Sequence, residues 1–506
     1  MVMFTKANEL KSYKIRTPFL QELLWFHRIK SDQDKELLTL EFLNVCASHA
    51  KKGKLFDKEL KTAVYNKEIQ VRNILYNFPE LKGIVASSIE ESKKWEEIET
   101  LLHQKFEKPF KYAYLKERFQ SVDIFFESVE LLKKASLGMA TSRRWTSKFL
   151  FPFSFEILFV DMNNKKENFD IDRRFFSRGG EVLYLMISRA KNVDVLKDLM
   201  LEVFQDSPQN SRWNNLLNVF KDDIVVNEPD TRLGFLALES HTVFDDLVDD
   251  LIVLMRTNIS QNDIFYYFSS IASFYMVHFI LTIAQERQKS TLLKNGEEKV
   301  VYPIELLAPK SDHVRRASRQ IYKINEDSPI EALKGVLNEY FLHLSDTDDK
   351  DTLLKKLDEE LNYSNEDDKD EEEIELEKIK SQIWKKVHFK VKNELLPIHR
   401  ILLKGAGLAS VKKTNSYRYL ASDEWLKTLV LLNVEKRIPF YEFVDNLYNK
   451  YGFIIGNKHS VLLLETYSEN DFKKNETRLF ERLRALGLLE SKSDGYAYVI
   501  NRYGRK

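Results

Sequence analysis

Few residues in this sequence could do chemistry by type and spacing. Asp245, Asp246, Asp249 and Asp250, in FDDLVDDLIVL, form two pairs four residues apart. On a helix they share a face, where carboxylates can hold magnesium beside a diphosphate. His241 lies four residues before Asp245, within reach of a local pair across one turn. The ten histidines show no HExxH or other zinc spacing, and no phosphate-cradling glycine loop occurs. The other candidates are cations. Lys474, Arg478 and Arg482 recur every four residues beside an apolar stripe, and Lys492 and Arg502 follow in a strand-rich tail. Such a set can contact phosphates. Arg143, Arg144, Lys148, Arg173, Arg174 and Arg178 are interleaved with Trp145, Phe149, Phe175 and Phe176. That mixture can pair phosphate contacts with base stacking, although arginines so placed also pair with carboxylates such as Asp161, Asp170, Asp172 and Glu181.

Composition limits what can position these groups. Glycine is 15 and proline 11 of 506 residues, about half of typical usage. Turn-dense all-β folds and glycine-rich cofactor folds are thereby disfavoured, and a mainly α, multi-domain helical protein is expected. Lysine plus arginine and aspartate plus glutamate are both 78, so no global positive field draws the chain to nucleic acid and any such contact must be local. The single cysteine, Cys46, excludes an internal disulfide and a Cys-rich zinc site and suits a reducing, cytoplasmic setting. The stretch 264–284 lacks charge and meets the length test for a membrane span. Its serines, threonine, His278 and tyrosines favour a central buried helix, and no membrane association, bound metal or cofactor is expected.

Periodicity and charge divide the chain. Residues 1–141 are expected to be an N-terminal helical region; within it Ser88 and Glu91 have capping-box spacing, and Trp95, Ile98, Leu102 and Phe106 share a face. A small mixed α/β insertion is expected at 142–190, with strands in WTSKFLFPFSFEILFV and punctuation at Gly179-Gly180. A central helical domain, 191–345, follows. Residues 346–378 hold sixteen acidic residues and five lysines, the composition of a solvated acidic linker. From Lys380 to Arg418 ten basic residues face only Glu394, so 379–420 is a basic connecting segment, one reading of which is a nucleic-acid surface shielded by the acidic run.

The last unit, 421–506, is the best patterned. Ser422 or Asp423 can cap a helix bearing Trp425, Leu426, Leu429 and Val430. A short strand at Arg437–Ile438 comes next. Pro439 opens a second helix that Gly452 ends. A third helix runs from about Asp471 to Leu486, and two strand-like runs flank Ser493-Asp494-Gly495. This order of helix, strand, helix, helix and hairpin resembles a winged helix, over about 85 residues. The resemblance implies that the third helix enters the major groove and the hairpin touches the backbone; winged helices also dock proteins.

Two further resemblances bear on function. The aspartate pairs resemble the aspartate-rich motif of isoprenoid synthases over six residues, but NDIFYYFSS at Asn262 lacks the glutamate of the partner motif and lies too near. RRFFSRGGEVLYLMISR, GAGLASVKKTNSYRYLASDEWLKTLVLLNV and the terminal module are together similar to helical subunits of bacterial antiphage defence islands, such as the methylation-associated defence system. That similarity implies a non-catalytic partner of separate ATPase, nuclease or methylase subunits. The leading expectation is a DNA-associated adaptor with protein partners. A protein scaffold comes second and a magnesium-dependent enzyme third.

Overall fold

The computed structural model describes residues 7–12, 20–26, 29, 33–50, 52–63, 79–105, 113–135, 162–165, 168–171, 178–204, 219, 234–306, 312–344, 349–364, 376–411, 416–492 and 496–504. Among the described residues it is mainly helical, with 68% helix, 8% strand and 18 helices. In chain order these are α1 (Ala7–Ser12), α2 (Leu20–Leu24), α3 (Lys35–Ala50), β1 (Thr62–Ala63), α4 (Pro79–Ala86), α5 (Glu91–Lys105), α6 (Ala113–Arg118) and α7 (Val122–Ala135). Then come β2 (Met162–Lys165), β3 (Asn168–Ile171), α8 (Gly179–Ser188), α9 (Val193–Phe204), β4 (Gly234–Phe235), α10 (Thr242–Met255), α11 (Gln261–Gln288), β5 (Tyr302–Pro303), α12 (Asp312–Leu342) and α13 (Lys350–Leu361). The last third holds α14 (Leu376–Gly405), β6 (Ala409–Ser410), β7 (Arg418–Tyr419), α15 (Asp423–Asn433), β8 (Arg437–Pro439), α16 (Phe440–Tyr451), β9 (Phe453–Ile454), α17 (Asn457–Ser460), α18 (Glu469–Ala485), β10 (Leu489–Ser491) and β11 (Ala497–Ile500).

The apolar α11 is the axis of the body. It packs against α3, α10, α12 and α14, which explains how a helix of membrane-spanning length and apolarity is covered on nearly every side. Apolar residues all round a helix require apolar neighbours all round it. The helices α4 to α7 have a separate small core of Trp95, Ile98, Leu102, Phe119 and Phe125. The expected capping box at Ser88 does not form: α5 starts at Glu91, whose carboxylate accepts the Val122 amide at 2.5 Å at the start of α7.

Gly179 and Gly180 open α8 because α3 passes directly over them. A Cβ on Gly180 would lie 2.3 Å from the Phe42 amide nitrogen, and one on Gly179 2.3 Å from Gln33 Oε1. Side chains from α3 and the residues before it satisfy the helix's first amides. Glu41, 0% exposed, accepts the Arg178 and Gly180 amides at 2.9 Å each, and Gln33 accepts the Gly179 amide at 3.0 Å. This end of the expected mixed insertion therefore belongs to the main core. Its hairpin is β2 paired antiparallel with β3; the strands expected over 145–160 lie outside the described residues.

The expectation of a solvated acidic linker needs correction over part of its length. Within the acidic linker expected at 346–378, α13 is a packed helix: Asp349 caps it, accepting the Asp351 and Thr352 amides, and Leu353, Leu357 and Leu361 are buried. Their spacing of four supplies an apolar stripe that the acidic composition obscures. The most acidic stretch, 365–373, lies outside the described residues. The basic connecting segment is largely α14, which buries Ile379, Ile383, Val387, Val391, Leu395, Ile398 and Leu402.

In the last unit, Ser422 caps α15 through the Trp425 amide, and Gly452 ends α16 at φ 73°. Ser468 caps α18, which starts at Glu469, two residues before the expected Asp471. The sheet has strand order β10-β11-β8, all antiparallel. Parallel pairing of β5 with β9 joins this unit to the helical body. So does Asn475, which accepts the Leu306 amide and donates to the carbonyls of Ile304 and Ile455.

Candidate nucleic-acid interface

The helix α18 has two faces. Phe472, Asn475, Leu479 and Leu483 point inward and are buried, while Lys473, Lys474, Thr477, Arg478, Glu481 and Arg484 are exposed. The exposed side chains of α18 thus include four cations and two carboxylates, Glu481 and, in the first turn, Glu469. Lys474 Nζ lies 3.9 Å from Asp471, and Arg478 Nη1 lies 2.8 Å from Glu481. Arg478 and Glu481 are both exposed, and the exposed Lys474 lies beside the half-buried Asp471; water screens such pairs.

Arg482 departs from expectation. It donates through Nε to Asp423 at 3.1 Å and through Nη1 to the Ala421 carbonyl at 2.8 Å, clamping α18 to the start of α15. Steps of four residues on a helix drift by about 40° each, so the row from Lys474 through Arg478 turns toward the packed side by its third member. Lys473 and Arg484, which the spacing of four passed over, occupy the outward arc instead. Eleven residues separate them, close to three full turns, and that period was the signal to look for.

The sheet adds a second cationic feature. Tyr498 on β11 stands beneath two cations: Lys492 Nζ lies 5.2 Å and Arg437 Cζ 5.5 Å from its ring centroid. Arg437 lies on β8, which pairs with β11, so only the strand register, not sequence proximity, brings it here. Lys492 remains exposed. Arg502 is exposed too, but its Nε donates to the Gly487 carbonyl at 2.8 Å, and it closes the turn after α18.

The remaining candidates lie elsewhere. Arg143, Arg144, Arg173 and Arg174 lie outside the described residues. Arg178, 8% exposed, is paired at 3.0 Å with the wholly buried Glu181, and its burial removes it from any nucleic-acid surface. Three of the four aspartates of α10 have partners within the protein. Asp245 binds the Lys191 ammonium at 2.8 Å and the Lys191 amide at 2.9 Å, and Asp249 accepts from Asn192 at 2.7 Å. Asp250 is completely buried and accepts from Tyr275 at 2.7 Å, from Tyr451 at 3.0 Å and from Lys450. Burial pushes its carboxyl above the usual range, against the pull of Lys450. Among the described residues no three His, Cys, Asp or Glu side chains gather as a metal site. His241 does not pair with Asp245; its Nδ1 accepts the Val243 amide to cap α10 and its Nε2 lies 3.2 Å from Glu286.

The arrangement offers a basic helix face and a cation-covered tyrosine. Comparison with known proteins adds no family: no protein-family model, curated protein or solved structure matches the chain.

Proposed function

We propose that this protein is a non-catalytic DNA-associated adaptor whose C-terminal unit, read as a winged helix, binds duplex DNA through the outward face of α18. One observation carries the reading: Lys473, Lys474, Arg478 and Arg484 stand on the exposed arc of a helix whose opposite face is fixed to the body by Asn475 and Leu479. A rigid helix with an outward row of cations suits insertion beside phosphates. The helical body is then the part that docks protein partners in the cytoplasm. A second reading, protein docking by the same face, draws support from Glu481, which sits within the arc and already pairs with Arg478.

Fluorescence anisotropy with a labelled duplex at about 50 and 200 mM salt separates the two, because multi-phosphate contact loses orders of magnitude in affinity over that range. The Lys474→Glu/Arg478→Glu double variant is expected to abolish salt-sensitive binding. Arg482→Gln is expected to lower stability while leaving duplex affinity within about two-fold, since its guanidinium holds Asp423 rather than facing outward. Absence of binding at low salt, or binding indifferent to the double variant, rejects the assignment to α18.

A further inference from the structure

The first half of α14 carries another cationic face, on a different helix from α18. Its inward stripe, from Ile379 to Val391, is buried. Its outward side presents Ser381, Lys385, His388, Phe389, Lys392 and Asn393, all exposed. No carboxylate interrupts this row: Glu377 lies before it beside Lys380 at 3.5 Å, and Glu394 lies on the flank beside Lys390 at 3.6 Å. Lys385 and Lys392 are two turns apart, about 10 Å along the axis. Between them Phe389 is 63% exposed, so its ring face is open to solvent.

We infer that this face of α14 binds single-stranded nucleic acid, with Lys385 and Lys392 against successive stretches of backbone and Phe389 stacked on an unpaired base. Charge selects a polyanion. The exposed ring selects among polyanions, because a duplex hides its base faces in the stack whereas a single strand offers them. An aromatic side chain flanked by cations is the combination that single-strand platforms use, tolerant of sequence because every base has a π-face. The assignment does not depend on what α18 binds.

The test is anisotropy of the full chain with a fluorescent single-stranded 20-mer, alongside the duplex of the same sequence, across a salt series. Lys385→Glu/Lys392→Glu is expected to weaken single-strand binding more than ten-fold at low salt and to flatten the salt slope by about 1 to 2. Phe389→Leu, which keeps the apolar bulk, is expected to lose about ten-fold, and Phe389→Trp to retain full affinity. Because these side chains are exposed, unchanged circular dichroism is expected throughout. The Lys474→Glu/Arg478→Glu variant is expected to keep single-strand affinity, which separates this surface from α18. Single-strand binding that survives the lysine reversals, or that Phe389→Leu leaves intact, overturns the inference, as does an absence of single-strand binding at low salt.

Discussion

At the scale of single residues, the most constrained side chain is Asp250. It lies where α10, α11 and α16 meet, and Lys450, Asp246, Tyr275 and Tyr451 are the ionisable groups around it. Its folded carboxyl titrates above the ordinary carboxylate value. In the interval between the two values the folded state therefore binds more protons than the unfolded one, and stability falls as pH rises through it. The buried histidines act in the opposite sense. His49 and His399 are held down to about 4 and His278 to about 3, chiefly by burial. Their contribution is complete above about 6.5 and is lost as pH falls toward those lower values. Asp250→Asn isolates the first effect, because the histidines cancel in the difference between variant and parent. The amide can still accept from the tyrosines, and Lys450 can hydrate at the edge of the site. Urea unfolding should show Asp250→Asn gaining on the parent as pH rises above the ordinary carboxylate value, and then running parallel to it once the parent's carboxyl has ionised. A difference that stays flat, or falls, across that interval would mean that Lys450 fully compensates the buried charge. Asp250→Ala should instead cost about 3 kcal/mol or more near neutrality, having stranded the tyrosines and the lysine around an empty site.

At the scale of elements, α8 shows how a helix start can be specified from a distant segment. Its first amides are bound by Gln33 and Glu41, so the local sequence RGGE contains the opening but not its partners. Gly180→Ala should therefore be severe. The added methyl meets the backbone of Phe42 and Glu41 at 2.3 to 2.6 Å, and backbone cannot rotate away; a loss of about 3 kcal/mol is expected. Gly335→Ala, within α12, meets nothing within 4 Å and should stabilise by about 0.5 to 1 kcal/mol. Thermal unfolding of the pair checks both, and equal effects would contradict the close packing of α3 on α8. The same contrast explains how much was legible in the sequence. Helices with one apolar stripe and a nearby cap, such as α15, α16 and α18, are encoded in their own local sequence, and so is α11, whose stretch 264–284 carries no charge. The α13 helix was hidden because its leucine stripe is diluted by charged residues, of which Asp358 pairs with Lys11 and Glu360 accepts from Tyr340. The cationic surfaces were half legible. Lys474 and Arg478 follow from spacing, but the inward turn of Arg482 depends on Asp423, and Arg437 reaches Tyr498 through strand pairing. Neither relation is local.

At the scale of the whole molecule, the decisive feature is that the C-terminal unit shares its core with the helical body. Phe274 of α11, 1% exposed, lies 5.8 Å from Trp425, 5.8 Å from Tyr451 and 5.5 Å from Phe453 by ring centroid, and also packs on His278 and Tyr302. Backbone bonds reinforce the junction: the Tyr302 amide donates to Gly452 and the Ile304 amide to Ile454, each at 2.9 Å. At Gly452, φ 73° and the approach of the Val300 carbonyl leave no room for a side chain. A unit joined by aromatic packing, strand pairing and the Asp250 network cannot open without exposing the centre of α11. Its amides should consequently exchange through the same cooperative opening as those of the body. Phe274→Ala removes a ring from the shared centre and should cost about 3 to 5 kcal/mol. Hydrogen exchange resolved by segment should show that cost in α11, α15 and α16 alike. If protection in α15 and α16 survived while that of α11 fell, the C-terminal unit would be energetically separate. Equal loss would mean that α11, α15 and α16 open together as one cooperative unit, so that a change of stability in the C-terminal unit is felt at the centre of the body.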